Sequence, residues 1–266
     1  MENVHPRCHD VSRQDLSTSV GKALALLNAF GNATYVFGVT ELADAIGIPK
    51  STAFRLLGTL EAGGFVERDD TRYRLGIRLF ELGNLVSPCR PENLRDTALP
   101  YLSDLYELSH ETVHLATIDG PDVLYLEKIY GHNSVRSPSR VGKRLPAHCA
   151  ALGKAILAHS DDSVVSSIVA GRLRPRTSRT IVLPGVLRKV LATSRVEGVA
   201  YDHEEAAVGL SCVAAPILMA GKPVAAISIS GSPPRFNPRV YAAAVRKAAS
   251  AAGTSLTAAR ATSGEV

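Results

Sequence analysis

Two short helical patterns joined by a tight turn constrain the fold of this chain most. The first pattern carries an apolar stripe made of Leu42, Ala43 and Ile46. We place its N-cap at Thr40 and its end at Gly47. Pro49 then opens the second helix, where its missing N–H costs no helical hydrogen bond. Two helices joined by a glycine-containing turn predict a helix-turn-helix.

The second helix has one apolar and one polar face. Its apolar residues recur at helical spacing and are Ala53, Leu56, Leu57 and Leu60. The polar face carries Ser51, Arg55 and Thr59, with Thr52 at its edge and Lys50 at the helix start. Short hydroxyl side chains allow close approach to the DNA major groove, and arginine reaches a base edge or a phosphate. The pattern predicts DNA contacts for these residues, and the alternative is a solvated helix face.

The flanking segments complete a winged helix-turn-helix. Before the pair, one amphipathic helix is predicted, with its apolar residues at Val20, Ala23, Leu24, Leu27 and Phe30. After it, short strands at residues 65–68 and 72–75 flank an Asp-Asp-Thr turn. Alternation along the second strand puts Arg72 and Arg74 on one side, where we expect them to contact the DNA backbone or minor groove.

Composition limits the class of protein without revealing its function. The formal net charge is +5, yet residues 1–90 hold ten basic and ten acidic side chains, so charge alone supports DNA binding weakly. No apolar run approaches the roughly 18 residues that span a bilayer. Residues 1–18 are polar and predict a disordered lead instead of a secretion signal. The four cysteines show no CxxC pairing, which predicts reduced thiols in a cytoplasmic protein.

From about Ser19 to Leu256 the sequence resembles the IclR family of bacterial transcriptional regulators. Three segments are similar to that family's DNA-binding domain, namely SVGKALALLNAF at residues 19–30, the segment at residues 40–69 and YRLG at residues 73–76. GVAYDHEEAAVGLSCVA at residues 198–214 fits the family signature of a glycine, an acidic residue, a glutamate and a cysteine. Both halves in the right order are more specific than a winged helix alone, since that fold serves many proteins.

The resemblance implies an α+β protein with two domains and no cofactor. We expect a disordered lead at 1–18, a winged helix-turn-helix domain at 19–76, a linker helix at 77–90, a GAF-like effector-binding domain with a mostly antiparallel sheet at 91–258, and a flexible tail at 259–266. Within these bounds, local patterns predict strands at 124–129 and 223–230, and helices at 77–85, 94–109, 152–158 and 241–259.

The resemblance also implies a pocket for a small organic acid. The predicted effector contacts are Ser134, Ser137, Leu145, Ala151, Leu152, Asp202, Cys212, Ser228 and Ser230. In similar family members, backbone amides at the positions of Ala151 and Leu152 hold the acid's carboxylate, and a helix start offers free N–H groups that suit an anion. Ser228 and Ser230 lie two apart on an apolar strand, so both hydroxyls face the same side.

The loop at residues 134–140 departs from the family pattern. Relatives that bind very small keto acids carry large apolar residues where this chain has Ser134 and Ser137. Smaller side chains predict a roomier or more polar pocket, suited to an aromatic or hydroxylated acid. Arg136 or Arg140 either adds a counter-charge or is solvated. Elsewhere, Cys212 is either a ligand contact or a small buried hydrophobe, the serines either face ligand or bond local backbone, and Glu205 either belongs to the site or braces a loop.

Three other functions compete with this interpretation. A nucleophile–base pair could be formed by the residue types at His148, Cys149, Asp202, Ser211 and Cys212. No G-x-S-x-G motif and no third orienting group accompany them, so we predict no enzyme activity. His148, Cys149, Asp202, Glu205 and Cys212 would hold zinc only if they converge, and we predict no metal site. The third alternative is a second domain that only assembles subunits.

The sequence therefore predicts a cytoplasmic transcriptional regulator that does not engage a membrane. Its partners are a double-stranded, palindromic DNA operator, a small carboxylate effector and further copies of itself in a homodimer or tetramer. The effector would act by shifting the spacing of the DNA-binding domains through the linker helix.

Overall fold

The protein divides into two compact units, and the division falls inside the predicted linker. The computed structural model describes residues 15–31, 36–86, 94–132, 137–233 and 235–263. One unit lies within residues 9–86 and the other within residues 87–266. Residues 1–14 of the lead predicted at 1–18, and the loop residues 133–136, lie outside the described part of the chain.

The first unit is a three-helix domain with a small antiparallel sheet and a further short helix. Its elements are α1 (Ser19–Ala29), β1 (Phe37–Gly38), α2 (Val39–Ile46), α3 (Lys50–Ala62), β2 (Val66–Asp69), β3 (Arg72–Leu75) and α4 (Arg78–Gly83). The sheet has the order β1-β3-β2. Its core joins the three helices to the sheet through Leu26, Leu42, Leu57 and Tyr73. This arrangement is a winged helix-turn-helix, as predicted.

Two local predictions in the first unit are wrong. The N-cap of α2 is Gly38 instead of Thr40. The Gly38 N–H donates to the Glu41 carboxylate at 2.7 Å, so the acidic side chain of the first turn satisfies the helix start and no hydroxyl cap is needed. In α1, Val20 and Leu24 are 69% and 52% exposed. The buried face of that helix is instead centred on Leu26, so the apolar residues of α1 cover more than one face.

The second unit is a six-stranded antiparallel sheet between helices. Its elements are α5 (Leu94–Ser109), β4 (Thr112–Asp119), β5 (Asp122–Ile129), β6 (Arg144–Pro146), a 3-10 helix (Ala147–Cys149), α6 (Ala151–Leu157), α7 (Asp162–Ala170), α8 (Pro184–Glu197), β7 (Ala200–His203), β8 (Ser211–Met219), β9 (Lys222–Gly231) and α9 (Pro238–Ser263). The strand order is β6-β5-β4-β9-β8-β7. The predicted antiparallel sheet is therefore confirmed. Within the described residues, no helix combines the length and apolarity needed to cross a membrane.

The two faces of this sheet pack against different helices. Alternate residues of a strand point to opposite faces. On β8, Ala214 belongs to the core formed with α6, α7 and α8, whereas Val213 and Ala215 belong to the core formed with α5 and α9. Long-range strand pairing thus decides which side chains face α6, where the candidate pocket lies.

Two helices differ in extent from the sequence expectation. The helix expected at residues 77–85 is α4, which covers only Arg78–Gly83. The C-terminal helix α9 runs through Ser263, so most of the segment at residues 259–266 that we expected to be a flexible tail is helical. Ala258 to Ala261 contain no glycine or proline that would end the helix.

Candidate functional site

The outer face of α3 carries the predicted DNA contacts. Lys50, Ser51, Arg55 and Thr59 are exposed, and Thr52 is half-buried. Ala53 and Leu57 are fully buried on the opposite face. The Thr59 hydroxyl donates to the carbonyl oxygen of Arg55 at 3.2 Å, so it is hydrogen-bonded to the helix backbone although the residue is exposed. A helix with one buried and one exposed polar face is suited to lie in a DNA major groove.

Sequence reasoning missed Phe54 on the same outer face. Its side chain is 53% exposed, although an aromatic residue is ordinarily assigned to a core. The spacing in the sequence could have placed Phe54 on this face, because it follows Ser51 by three residues and so shares its side of the helix. Gly58, one turn further on, leaves space around it, since a Cβ added at that position would meet no atom within 4 Å. An exposed phenyl ring is chemically suited to contact a thymine methyl group.

The two arginines of β3 are exposed but engaged in ion pairs. Arg72 lies 3.0 Å from the Glu41 carboxylate and donates to the carbonyl oxygen of Val36. Arg74 lies 2.9 Å from Glu67. These pairs tie the wing to α2 and to its neighbouring strand. A phosphate approaching either arginine would therefore share it with a carboxylate.

An enclosed cavity in the second unit brings together most of the predicted effector contacts. It is lined by Ser137, Leu145, Ala151, Leu152, Asp202, Cys212 and Ser228 from the predicted set, and by His114, Tyr125, Ala150, Ala206 and Leu210. Ser134 lies outside the described residues. Ser230 is buried but is not among the lining residues, and its hydroxyl donates to the Thr112 carbonyl at 3.4 Å. The enclosed volume is about 10 Å³, which is room for roughly one water molecule.

Strand register explains how polar side chains from five strands converge on this cavity. Cross-strand pairing sets His114 of β4 opposite Ser228 of β9 and Asp202 of β7 opposite Cys212 of β8. Tyr125 of β5 adds the fifth side chain. All of these point toward α6, so the sheet face is polar at its centre although its surroundings are apolar.

His114 is a neutral hydrogen-bonding group in the wall of the cavity. Burial, followed by the nearby Lys128 charge, lowers the pKa of His114 from 6.5 to about 3. Its Nε2 lies 2.8 Å from the Ser139 hydroxyl, which also contacts the Ser137 hydroxyl at 2.6 Å. Sequence analysis missed His114 because every residue in the first half of β4 is buried, so no alternation marks its face.

Asp202 is the acidic group of the cavity. It is 1% exposed, and its Oδ1 accepts hydrogen bonds from the backbone N–H groups of Glu205 at 2.6 Å and Ala206 at 3.4 Å. Burial raises the pKa of Asp202 from 3.8 to about 7, although Lys154 and the two N–H groups act in the opposite direction. The carboxyl group is therefore poised between its neutral and charged forms near neutral pH.

A buried ion pair lies beside Asp202. The Lys154 ammonium of α6 lies 2.5 Å from Glu205 Oε1, and the two side chains are 1% and 6% exposed. Glu205 Oε2 has no hydrogen-bond partner among the described residues. Sequence analysis left Glu205 open between a site residue and a loop brace, and it did not identify Lys154 as its partner.

The loop that carries Glu205 is fixed by the segment before α8. The Thr180 hydroxyl donates to the Glu205 carbonyl at 2.8 Å, and the Thr177 hydroxyl donates to the Glu204 carbonyl at 2.7 Å. Arg176 Nε donates to the Ala206 carbonyl at 3.0 Å. The backbone that holds Asp202 is thus braced from a second direction.

The start of α6 forms the opposite wall of the cavity. Gly153 is required there, because a Cβ at that position would lie 2.2 Å from the Ala147 carbonyl oxygen. This close approach folds the 3-10 helix back on α6. The first backbone N–H groups of a helix lack helical partners, and Ala151 and Leu152 carry two of them beside the cavity.

The environment of the two buried thiols disfavours their charged form. Burial raises the pKa of Cys149 to about 12 and raises that of Cys212 well above its ordinary value, so both are neutral. Among the described residues, no group of three or more His, Cys, Asp or Glu side chains could hold a metal ion.

A winged helix-turn-helix followed by a domain with an enclosed polar cavity defines a class: DNA-binding regulators that carry a ligand-binding domain. Residues 19–70 match the IclR helix-turn-helix domain, and residues 89–254 match the bacterial transcriptional regulator IclR C-terminal domain. The chain belongs to the IclR family. It is a DNA-binding transcriptional regulator and not an enzyme.

Individual relatives agree with this assignment over most of their length. The transcriptional repressor IclR of Escherichia coli is 35% identical over 219 residues, covering 80% of this chain and 79% of that protein. KdgR of Escherichia coli, an HTH-type transcriptional regulator, is 34% identical over 233 residues, covering 86% and 88%.

Solved structures of the family have the same fold. An IclR homolog from Microbacterium hydrocarbonoxydans, complexed with 4-hydroxybenzoate, superposes with a TM-score of 0.83 at 26% identity, covering 91% of this chain and all of that one. The Thermotoga maritima IclR superposes with a TM-score of 0.77 at 33% identity, covering 90% and 98%.

Proposed function

We propose that this protein controls a catabolic operon in response to a small organic acid bound in the cavity between α6 and the sheet. The observation that carries this proposal is the convergence of polar side chains from five strands on the first turn of α6. Peptide N–H groups at a helix start attract a carboxylate. The hydroxyl and imidazole groups of Ser137 and His114 suit a second polar group on the same molecule.

A hydroxylated aromatic acid is the effector class we favour. Support comes from the neutral His114, from the hydroxyls around it, and from the similar structure that was solved with 4-hydroxybenzoate. The cavity of about 10 Å³ is smaller than such a molecule, so binding requires the walls to move apart. The segment at residues 137–140 is the proposed moving wall, because it joins the sheet through hydrogen bonds of Ser139, with the His114 ring and the Lys128 ammonium as partners.

The test is a thermal-shift screen of the full chain against aliphatic and aromatic carboxylic acids, including 4-hydroxybenzoate. An acid at 100 times its Kd should add about 2.7 kcal/mol of stability and raise Tm. Ser228→Ala should reduce the shift, whereas Ser250→Ala, on α9 away from the cavity lining, should keep it. A panel in which no acid raises Tm would argue against this effector class and favour an assembling role for the second unit.

For DNA recognition we propose that α3 enters the major groove of a palindromic operator. Lys50, Ser51, Thr52, Arg55 and Thr59 would contact DNA from α3, and Arg72 and Arg74 would contact the flanking backbone. Selecting bound sequences from a random duplex library would supply the operator, and two inverted half-sites are the expected result. On that operator, Arg55→Ala should cost about 1–3 kcal/mol if it contacts a base. Unchanged affinity would remove Arg55 from the interface.

We further propose that the protein acts in the cytoplasm as a homodimer or tetramer. The first unit leaves apolar side chains in solvent on α1 and around α4, namely Val20, Leu24, Ile77, Phe80 and Leu85. Apolar surface of this kind marks association surfaces. Light scattering of the wild type and of a Val20→Ser, Phe80→Ser variant tests this assembly, with a lower mass expected for the variant. Effector binding would then alter the spacing of the DNA-binding units through residues 77–90, with a coupling of about 1–3 kcal/mol.

A further inference from the structure

The buried charges around the cavity are unbalanced before any ligand enters. Two carboxyl groups, those of Asp202 and Glu205, lie next to one buried ammonium, that of Lys154. The ammonium is committed to Glu205, at 2.5 Å. A carboxylate effector brings a third acidic group into this enclosed space. Uncompensated charge in a protein interior is strongly unfavourable, so a proton on one of the three carboxyl groups, which lowers the net charge from −2 to −1, favours binding of the acid.

The other groups around Asp202 do not supply the missing positive charge. These groups are Lys154 of α6, Cys149 of the 3-10 helix, His114 of β4, Tyr125 of β5, Cys212 of β8 and Arg176 of the loop before α8. His114 is buried and neutral. Arg176 is not among the cavity lining residues, and its Nε is bonded to the Ala206 carbonyl. The thiols and the phenol carry no positive charge in any form.

The hydrogen bonds of Asp202 decide where a proton on it would sit. Oδ1 accepts both backbone N–H groups, from Glu205 and Ala206. An oxygen that already accepts two N–H donors is the poorer site for a proton. Oδ2 has no hydrogen bond to a described residue, and the side chain lines the cavity. A neutral Asp202 therefore presents an O–H donor to whatever occupies the cavity.

We propose that Asp202 selects the effector while its own side chain is a neutral carboxylic acid, donating a hydrogen bond from Oδ2 to the effector's carboxylate, and that binding takes up one proton from water. This inference rests on the proposed function, because it requires an acid as the ligand. In its neutral form, Asp202 recognises a group that accepts a hydrogen bond. In its charged form it would repel the same acid and accept from an amine or amide instead, so the protonation of one side chain sets the chemical class that the cavity admits.

The proposal has a pH signature of definite sign. Asp202 titrates with a pKa of about 7, whereas the carboxylic acid probes stay ionised above pH 6. Only the protonated fraction of Asp202 binds, so the apparent Kd should rise about tenfold between pH 6 and pH 8. His203 lies on the other face of β7 and Lys154 stays paired, so neither supplies this dependence.

The experiment is isothermal titration calorimetry of the full chain with 4-hydroxybenzoate, benzoate and acetate at pH 6 and pH 8, in buffers of different ionisation enthalpy. The wild type should bind an acid about tenfold more weakly at pH 8 and take up close to one proton per acid at pH 8. Asp202→Asn keeps an N–H donor, so its affinity should be the same at both pH values. Ser228→Ala is the matched control, which should weaken binding but keep the pH dependence.

A ligand-free measurement guards against loss of folding in the variants. The 13C resonance of the Asp202 carboxyl group, assigned by its absence from Asp202→Asn, should titrate near pH 7. Titration below pH 5, or acid binding that is equally tight at both pH values without proton uptake, would overturn this inference and leave the proposed function standing. If none of the acids binds, both fail.

Discussion

The ion pairs of the first unit lie in solvent, whereas the second unit buries one completely. Both partners are about half exposed in the pairs Arg72–Glu41, Arg74–Glu67 and Arg78–Glu81. Lys154 and Glu205 are 1% and 6% exposed. Surface pairs contribute little because water and salt screen them. A buried pair acts strongly on its neighbours because the interior screens charge poorly.

This difference fits the function proposed for each unit. Arginines that are to contact DNA phosphates must give up their carboxylate partners, so the proposed role of Arg72 and Arg74 requires pairs that are weak and accessible. A ligand pocket must hold a few polar groups in fixed positions. There the Lys154–Glu205 pair fixes the loop whose backbone N–H groups hold Asp202.

The largest effect is expected from removing one partner of the buried pair. Lys154→Met leaves the Glu205 carboxylate buried without a counter-charge, which should lower the free energy of unfolding by about 3–5 kcal/mol. Arg74→Met, the matched change in a surface pair, should cost about 0–1 kcal/mol. Urea denaturation at pH 7 measures both. Equal costs would mean that the two environments do not differ as described.

A second contrast concerns two helical glycines. Gly153→Ala should destabilise by about 1–3 kcal/mol or more, because the new Cβ meets the Ala147 carbonyl oxygen at 2.2 Å. Gly58→Ala has no neighbour within 4 Å and should stabilise by about 0.5–1 kcal/mol through its helix propensity. Thermal unfolding of the two variants should shift Tm in opposite directions. A stabilised Gly153→Ala would contradict the close packing of α6.

The third prediction is a slope of stability against pH. The pKa of Asp202 is raised from 3.8 to about 7 in the folded protein. Between these two pH values the folded state therefore binds more protons than the unfolded state. Its contribution to stability is full below pH 4 and is lost as pH rises through 7, by at most about 1.4 kcal/mol per pH unit. Asp202→Asn should remove this slope. Urea unfolding of the wild type and of the variant from pH 5 to pH 7 measures it, as the pH dependence of the difference between their free energies of unfolding. A parallel pair of curves would contradict the raised pKa.

The smallest change in stability is expected at Phe54. Because its ring is 53% exposed, Phe54→Ala should alter the free energy of unfolding by about 0.5 kcal/mol or less, yet weaken operator binding. Leu57→Ala, on the buried face of the same helix, should cost about 2–5 kcal/mol. Fluorescence anisotropy with the selected operator and urea unfolding separate the two effects. Unchanged DNA affinity for Phe54→Ala would exclude the ring from the interface.

Local periodicity predicted the first unit well and left specific errors. The faces of α3 follow from the 3.6-residue repeat, since one helix packs against one neighbouring core. The same argument failed for α1, where Val20 and Leu24 are apolar but exposed, because spacing shows which residues share a face of a helix and does not show which face packs against the core. The cap of α2 was wrong because Glu41 satisfies the Gly38 N–H from three residues away.

The helix-turn-helix, the order of the two domains and the family could be predicted from the amino-acid sequence, since these depend on short-range spacing and on a contiguous signature at residues 198–214. The three-dimensional structure was needed to show that His114 and Tyr125 line the cavity with Asp202, and that Lys154 pairs with Glu205, 51 residues away. Strands buried on both faces carry no alternation that marks which side faces the ligand. Their orientation is set by cross-strand register, and that register depends on pairing between segments far apart in the chain.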